Sequence, residues 1–298
     1  MEIRNRIDAM KLNKKIISAY AELSKPSILT LVLVTTSLGF YLGGKGIHDW
    51  GLFAWMMSGA ACVCAGASAL NHYMERDIDC KMLRTRNRPI PRRVISPASA
   101  LNYGIIMVAL GVIVLDWKVN LLTAFLSLLT AFLYVLVYTP MKRISWLNTT
   151  IGAIPGAIPP MGGWVAATNH LDAGAWILFG ILFLWQHPHF YAIAWMFKED
   201  YERGGFKMLP VVEPDGNSTF AQIQWSSLLL IPFSLLPTLT GLSGKLYFAG
   251  ALLAGILFWK IGRALAHSKS IHDARKLLKA SVLYLPVLLF LIVIDVSF

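Results

Sequence analysis

The chain has 298 residues, 56% of them hydrophobic and only 14% charged, with a mean hydropathy of +0.58. An ordinary soluble domain carries roughly a quarter of charged residues, so this balance excludes that class and marks a polytopic membrane protein. The formal charge of +11 excludes less than it suggests: the bases cluster on alternate connections, which is the pattern of membrane topology, and no nucleic-acid partner is needed to explain them.

In chain order, residues 1–15 mix bases with Glu2 and Asp8 and lead into no apolar core, so they resemble neither a cleaved signal peptide nor an acid-poor transit peptide. Apolar runs of the ~20 residues that a membrane helix needs follow at 27–44, 51–72, 99–116, 119–138, 146–167, 172–197, 220–241, 245–265 and 278–296. The expectation is an all-α bundle of about nine transmembrane helices, a single domain over residues 1–298 with a central apolar cavity. The fifth run is the most interrupted, by Gly152, Pro155, Gly156, Pro159, Pro160, Gly162 and Gly163. With the N-terminus cytoplasmic, 24 of the 27 Lys and Arg lie on inner segments and only Lys45, Lys118 and Lys245 lie outside. That asymmetry sets the orientation, and the expected location is a bacterial inner membrane. Cys62, Cys64 and Cys80 suggest no disulfide, and Cys62 and Cys64, within the second span, read as small buried apolar side chains.

Two inner connections are long and charged, near 73–98 and 198–219, and such loops are where a membrane enzyme can build a site open to one compartment. The first carries Asn71, Glu75 and Asp79 at i, i+4 and i+8. On a helix these share one face, drifting only about 40° per step. Carboxylates at the C-terminal end of a helix meet the negative pole of its dipole and need a cation to neutralise them. A divalent ion such as Mg²⁺ would do so, and Arg84 and Arg88 beside them suit phosphate oxygens, together a diphosphate-handling chemistry. The competing reading is a solvated helix end followed by a basic topology signal. Asp77 is off that face and suits a pairing with Arg76 or Arg84.

The second connection, Lys198 to Pro210, interleaves acids and bases again. Asp200 would add a carboxylate for metal, and Lys198 and Lys207 further charge for diphosphate. Lys142 and Arg143, in a short inner loop, would close the phosphate site from a third side. His187 and His189 lie at membrane depth, where ionisable groups are functional candidates. Two apart on a regular helix they point ~200° from each other, so a common ligand would require Pro188 to distort the turn.

These stretches resemble the UbiA-type intramembrane prenyltransferase superfamily, whose members carry an Asn-xxx-Asp-xxx-Asp motif after the second helix and a second acidic motif after the sixth. Within it, Asp77 to Thr85, Tyr138 to Arg143, Gly156 to Trp164, Trp185 to Phe190, Lys198 to Tyr201 and Met208 to Pro210 resemble the branch that acts on haem. Glu75 stands where the first motif has Asp, and with the second motif aligned on Asp200 its usual first Asp falls on Met196. Asp200 would then act alone or with Glu199. The resemblance implies transfer of a farnesyl group from farnesyl diphosphate to a vinyl group of haem B, with Mg²⁺ as the metal. It places His187 or His189 on the haem side, to ligate iron or orient water. It also leaves room for partners that modify the product haem or build it into an oxidase. The rival readings are a sister prenyltransferase with a quinone-precursor or chlorophyll-type acceptor, and a transporter or assembly factor without catalysis.

Overall fold

The structure is a computed structural model that describes residues 14–296; residues 1–13, most of the segment read above for leader character, lie outside the described residues. α1 occupies residues 14–23 within them. α2 (Pro26–Gly43), α3 (Trp50–Asp79) and α4 (Pro97–Lys118) follow, then α5 (Leu121–Phe132), a π-helical turn (Leu133–Tyr138) and α6 (Thr139–Ile144), which run on as one rod. Next come α7 (Asn148–Thr168), α8 (Ala173–Met196), the short α9 (Lys198–Arg203) and α10 (Leu209–Val212), and finally α11 (Asn217–Leu239), α12 (Lys245–Ser268) and α13 (Ile271–Ile294). Among the described residues the only β pairing is an isolated bridge between Ser243 and Val296.

Local chemistry explains the breaks. Asp49, Ser96, Asn120, Asp172 and Ser270 each accept a backbone N–H at the start of α3, α4, α5, α8 and α13, satisfying donors that the first helical turn leaves free. Proline opens α2 and α4, where its missing N–H is harmless.

Each of the nine apolar segments is occupied by helix, and among the described residues eight helical rods are long and apolar enough to cross a membrane: α2, α3, α4, α5 to α6, α8, α11, α12 and α13. Their outer faces carry exposed large side chains such as Ile106 and Ile113 on α4, Leu253 on α12 and Leu283 and Phe290 on α13, a surface that suits lipid rather than water. The exception is α7, whose prolines and glycines dilute its hydropathy. Gly152, Pro155, Gly156, Pro159 and Gly162 form the side of α7 that lines the central cavity, where interrupted backbone hydrogen bonding is tolerated inside a membrane protein. α7 also lies against α2 with the backbones almost touching: a Cβ at Gly39 would overlap the Pro160 carbonyl, and one at Gly163 the Thr36 carbonyl.

The largest apolar core joins α7, α8, α11, α12 and α13 around Trp164, Trp185, Tyr191, Phe258 and Tyr284. A smaller cluster of Ile78, Met82, Tyr201, Phe206 and Met208 packs the two charged inner connections against each other. Those connections are shorter than hydropathy alone suggests. α3 continues two turns past residue 72, so Glu75 and Asp79 are helical and buried, and the segment after Lys198 contains α9 and α10.

Candidate active site

The buried end of α3 is the centre of the site. Asn71 and Asp79 are fully buried and Glu75 nearly so, and each meets a cation from another part of the chain. Arg88 Nη1 donates to both Asp79 oxygens at 2.8 Å and lies 3.8 Å from Glu75. Thr85 Oγ1 donates to the Asp79 carbonyl at 3.1 Å, folding the loop back so that Arg88 reaches the helix face. Lys142 Nζ donates to Glu75 Oε1 at 2.7 Å. Lys25 Nζ donates to Asn71 Oδ1 at 2.6 Å and to the Tyr134 hydroxyl at 3.1 Å.

Two backbone features deliver these lysines. Lys25 sits at φ 49° just before Pro26, a left-handed conformation uncommon for a side-chain-bearing residue. Burial, with Arg88 as a neighbouring positive charge, pushes its ammonium down to about 7. The other feature is the π-helical turn. Pro140 has no N–H for the usual helical bond, and its ring would crowd the carbonyl four residues earlier, so the chain widens by one residue here. Thr139 then bonds Tyr134 O through both its backbone N–H and its hydroxyl, and accepts from Asn71 Nδ2 at 3.0 Å. Single π-turns of this kind recur at functional sites.

Asp200 comes close to the same region and is bonded differently. Its two oxygens accept the backbone N–H groups of Leu83 at 3.0 Å and Arg84 at 3.2 Å, and Arg203 donates to Oδ1 at 2.6 Å. Burial opposes ionisation, but those donors outweigh it and hold the carboxyl below the ordinary carboxylate range. The Arg84 guanidinium lies 4.4 Å from the Tyr201 ring centroid and lines the central cavity.

That cavity, about 440 Å³, runs from Arg84, Lys142 and Tyr138 down to Met56 and Leu115 near the opposite helix ends. Trp185, Gln186, His189 and Phe190 form part of its wall. α8 passes through Pro188 as one helix, so the two histidines diverge. His187 meets the Phe183 carbonyl at 2.8 Å and Thr150 Oγ1 at 3.3 Å, while His189 meets Ser281 Oγ at 2.8 Å and stacks on Trp185. The helix runs on either side of Pro188, and the two histidines meet different helices, so the structure gives them no common ligand.

The family model described as the UbiA prenyltransferase family matches residues 32–289. The chain belongs to the UbiA prenyltransferase family. Protoheme IX farnesyltransferases of Solibacter usitatus and Salinibacter ruber are 44% and 45% identical over 285 and 276 residues, in each case 93% of this chain and 98% of the relative. Among solved structures, digeranylgeranylglyceryl phosphate synthase matches with a TM-score of 0.80 and 18% identity, over 94% of this chain and 98% of that one. A UbiA homologue from Archaeoglobus fulgidus, solved with GPP and Mg²⁺ bound, matches with a TM-score of 0.69 and 15% identity, over 92% and 99%.

In this UbiA member the structure brings together Asn71, Glu75, Asp79, Arg88 and Lys142, with Arg84 and Asp200 at the adjoining loop. It does not bring in the rest. Arg143 is exposed. Lys198 donates to the Pro214 carbonyl at 3.1 Å, and Lys207 meets Lys142 and Asn148 through its backbone. Glu199 is exposed, Met196 packs on the core, and Asp77 lies 3.8 Å from Arg76. Among the described residues no three His, Cys, Asp or Glu side chains converge on a metal-sized space. The hard oxygen donors that do share a face are Asn71, Glu75 and Asp79. Sequence reasoning missed Lys25, Tyr134 and Thr139. The Tyr138-Thr139-Pro140 step was a visible signal, whereas Lys25 looked like one topology charge among many.

Proposed function

We propose that this enzyme transfers a farnesyl group from farnesyl diphosphate to a vinyl group of haem B, adding water and releasing diphosphate. The observation that carries the reading is the buried acid and cation cluster at the mouth of an apolar cavity, in a chain 44% identical to a protoheme IX farnesyltransferase along nearly its whole length. We place the protein in a bacterial inner membrane, with nine crossings and the site facing the cytoplasm, from the distribution of its bases.

Mg²⁺ fits the donor set. Two carboxylates and an amide oxygen on one helix face are a number and type of ligand that this ion accepts while keeping positions for phosphate and water. Asn71, Glu75 and Asp79 would hold it, and bound there it would supply charge neutralisation for the diphosphate. In the structure those oxygens are engaged by Lys25, Lys142 and Arg88, and were the acids to hold the metal, these basic groups would be free for the anionic oxygens of the diphosphate. Asp200 contributes by pinning the Leu83 and Arg84 backbone, which orients Arg84 toward the cavity.

The reaction then follows from charge. The C–O bond of farnesyl diphosphate breaks, its electron pair leaving with the diphosphate, and Arg84, Arg88 and Lys142 stabilise the developing anion. The allylic cation that remains lies in a cavity walled by Tyr134, Tyr138, Trp185 and Phe190, whose π faces favour positive charge. The vinyl π pair forms the new C–C bond, and water captures the resulting cation beside the macrocycle, losing a proton to give the hydroxyethyl group. The apolar walls keep water from the first cation until transfer.

The test is incubation of the purified protein with farnesyl diphosphate, Mg²⁺ and either haem B or 4-hydroxybenzoate, with products read by mass. Farnesyl hydroxyethyl haem is expected with haem B alone, and excess chelator is expected to stop its formation. A product with 4-hydroxybenzoate only would replace the acceptor, and turnover unchanged in chelator would remove the metal.

A further inference from the structure

His187 and His189 read alike in the sequence but are held in opposite states of readiness. Phe183 O, 2.8 Å from His187 Nδ1, can only accept, so that nitrogen carries the proton and Nε2 is left to accept from Thr150 Oγ1 at 3.3 Å. Both nitrogens are therefore engaged. At His189 the partner is Ser281 Oγ, whose single proton is directed to the Leu278 carbonyl at 2.7 Å. The serine must then accept from His189, which puts the imidazole proton on Nδ1 and leaves a bare lone pair on Nε2. His189 lines the central cavity, and among the described residues its Nε2 neither makes a hydrogen bond nor counts among the buried polar atoms that lack one. The ring is also braced: it stacks on Trp185 at 5.0 Å between centroids, and Trp185 Nε1 donates to the Ser281 carbonyl at 2.9 Å.

A neutral imidazole with Nδ1–H bonded to an oxygen and a free Nε2 in a cavity is the arrangement of a prepared metal ligand. We propose that His189 Nε2 ligates the iron of the haem acceptor, with Ser281 as the positioning residue and His187 confined to helix packing; this rests on the haem reading above. His189 lies seven residues before the end of α8, about 10 Å along the helix axis from the end that meets the Asp200 loop. Ligation there ties down the centre of the macrocycle while its vinyl-bearing rim stays free to approach the cationic mouth. No bond of the tetrapyrrole changes in this step: the iron gains one nitrogen ligand.

The experiment uses the full chain in lipid nanodiscs, titrated with ferric haemin and followed by its Soret band and electron paramagnetic resonance. Wild type is expected to give an imidazole-ligated spectrum. His189→Gly should lose it and regain it with added imidazole, His187→Gln should keep it, and Ser281→Ala should weaken haemin binding about tenfold. Metal-free protoporphyrin IX serves as a fold control and should bind wild type and His189→Gly alike. Should the glycine variant fail to fold, His189→Gln keeps an amide for Ser281 and must show the same spectral loss. An unchanged haemin spectrum in the His189 variants, or its loss in His187→Gln, overturns the assignment. If wild type makes farnesyl haem and its spectrum ignores His189, only the ligation is wrong; if wild type neither binds haemin nor farnesylates it, the acceptor reading falls as well.

Discussion

The two acidic segments on the inner side use the same chemistry for different ends. At the close of α3, Glu75 and Asp79 face inward, and buried cations from three separate segments answer them. In α9, Asp200 turns its carboxylate to the backbone of the loop between α3 and α4, while Glu199 and Glu202 face outward. On the proposed function, the first segment stores charge for a ligand and the second holds that store in shape. A buried carboxylate bonded to side chains can exchange partners when an ion arrives, whereas one bonded to peptide N–H groups fixes a loop. The comparison therefore predicts that damage to α3 abolishes chemistry with the fold intact, and damage to α9 loosens the site without abolishing it.

The largest effect belongs to Asp79. Asp79→Ala is expected to lower farnesyl transfer by about 10²-fold or more, the scale of losing a central charge-organising group, measured on the folded fraction whose circular dichroism stays near wild type. Removing one partner of a buried pair also leaves the other charge uncompensated, at a cost of about 3–5 kcal/mol, so Asp79→Asn with Arg88→Gln is the necessary second measurement. With Arg88→Gln alone as the reference, a paired variant that recovers stability but turns over well below that reference shows that the carboxylate acts on the ligand; one that matches or exceeds it shows that Asp79 is only structural.

Next come the two lysines. Lys142→Met removes the cation from Glu75, and Lys25→Met removes the one from Asn71. Both should raise KM for farnesyl diphosphate more than they lower kcat if these ammonium groups meet the bound anion. Lys25→Gly separates charge from strain, because glycine adopts the left-handed conformation without penalty. A Lys25→Gly protein that is more heat-stable yet less active than wild type would show that the φ of 49° is maintained for the side chain. An equally active Lys25→Gly enzyme would refute that.

Much of this architecture was legible from residue order, for reasons that differ by element. The apolar runs foretold the helices because membrane thickness fixes their length, and the four-residue spacing of Asn71, Glu75 and Asp79 foretold their common face because helical period does so. α7 was the hard case: its glycines and prolines lower its hydropathy, yet they are there because a cavity needs a small, flat wall. Partner choice was not legible. Lys25 reaches Asn71 across 46 residues and Asp200 reaches Leu83 across 117, contacts that only tertiary packing creates. The histidine pair shows the same limit, since the Phe183 carbonyl one turn back sets the His187 tautomer while Ser281, from another helix, sets that of His189.

Asp200→Asn breaks the other side of the comparison. The amide keeps one acceptor for the loop but loses charge toward Arg203, so a destabilisation of about 1–3 kcal/mol is expected, read as faster proteolysis of residues 80–96 and a several-fold loss of activity. The sign with pH follows from the lowered carboxyl. Its contribution is fully present above the unfolded value of about 3.9 and fades only as pH falls through the lower folded one. Loop protection in wild type should therefore be flat from about pH 8 to 5, and reduced throughout that window in the variant. A metal-ligand role for Asp200 predicts instead a fall in Mg²⁺ affinity with the loop still protected.

The smallest effects sharpen the boundary of the site. Lys198 is held by the Pro214 carbonyl and lies over the Trp195 ring, and Arg143 is exposed; neither side chain touches the buried cluster. Surface substitutions away from special features stay within about 0.5 kcal/mol, so Lys198→Ala and Arg143→Ala should leave both stability and kcat/KM near wild type. Arg84→Ala is the matched control, since its guanidinium reaches the cavity from the loop that Asp200 anchors, and it should weaken farnesyl diphosphate binding. The contrast tests where the diphosphate ends. If Lys198→Ala or Arg143→Ala fell tenfold alongside Arg84→Ala, the inner connections would have to close over the substrate by a motion that carries those bases inward, and the buried cluster would be only half of the anion site.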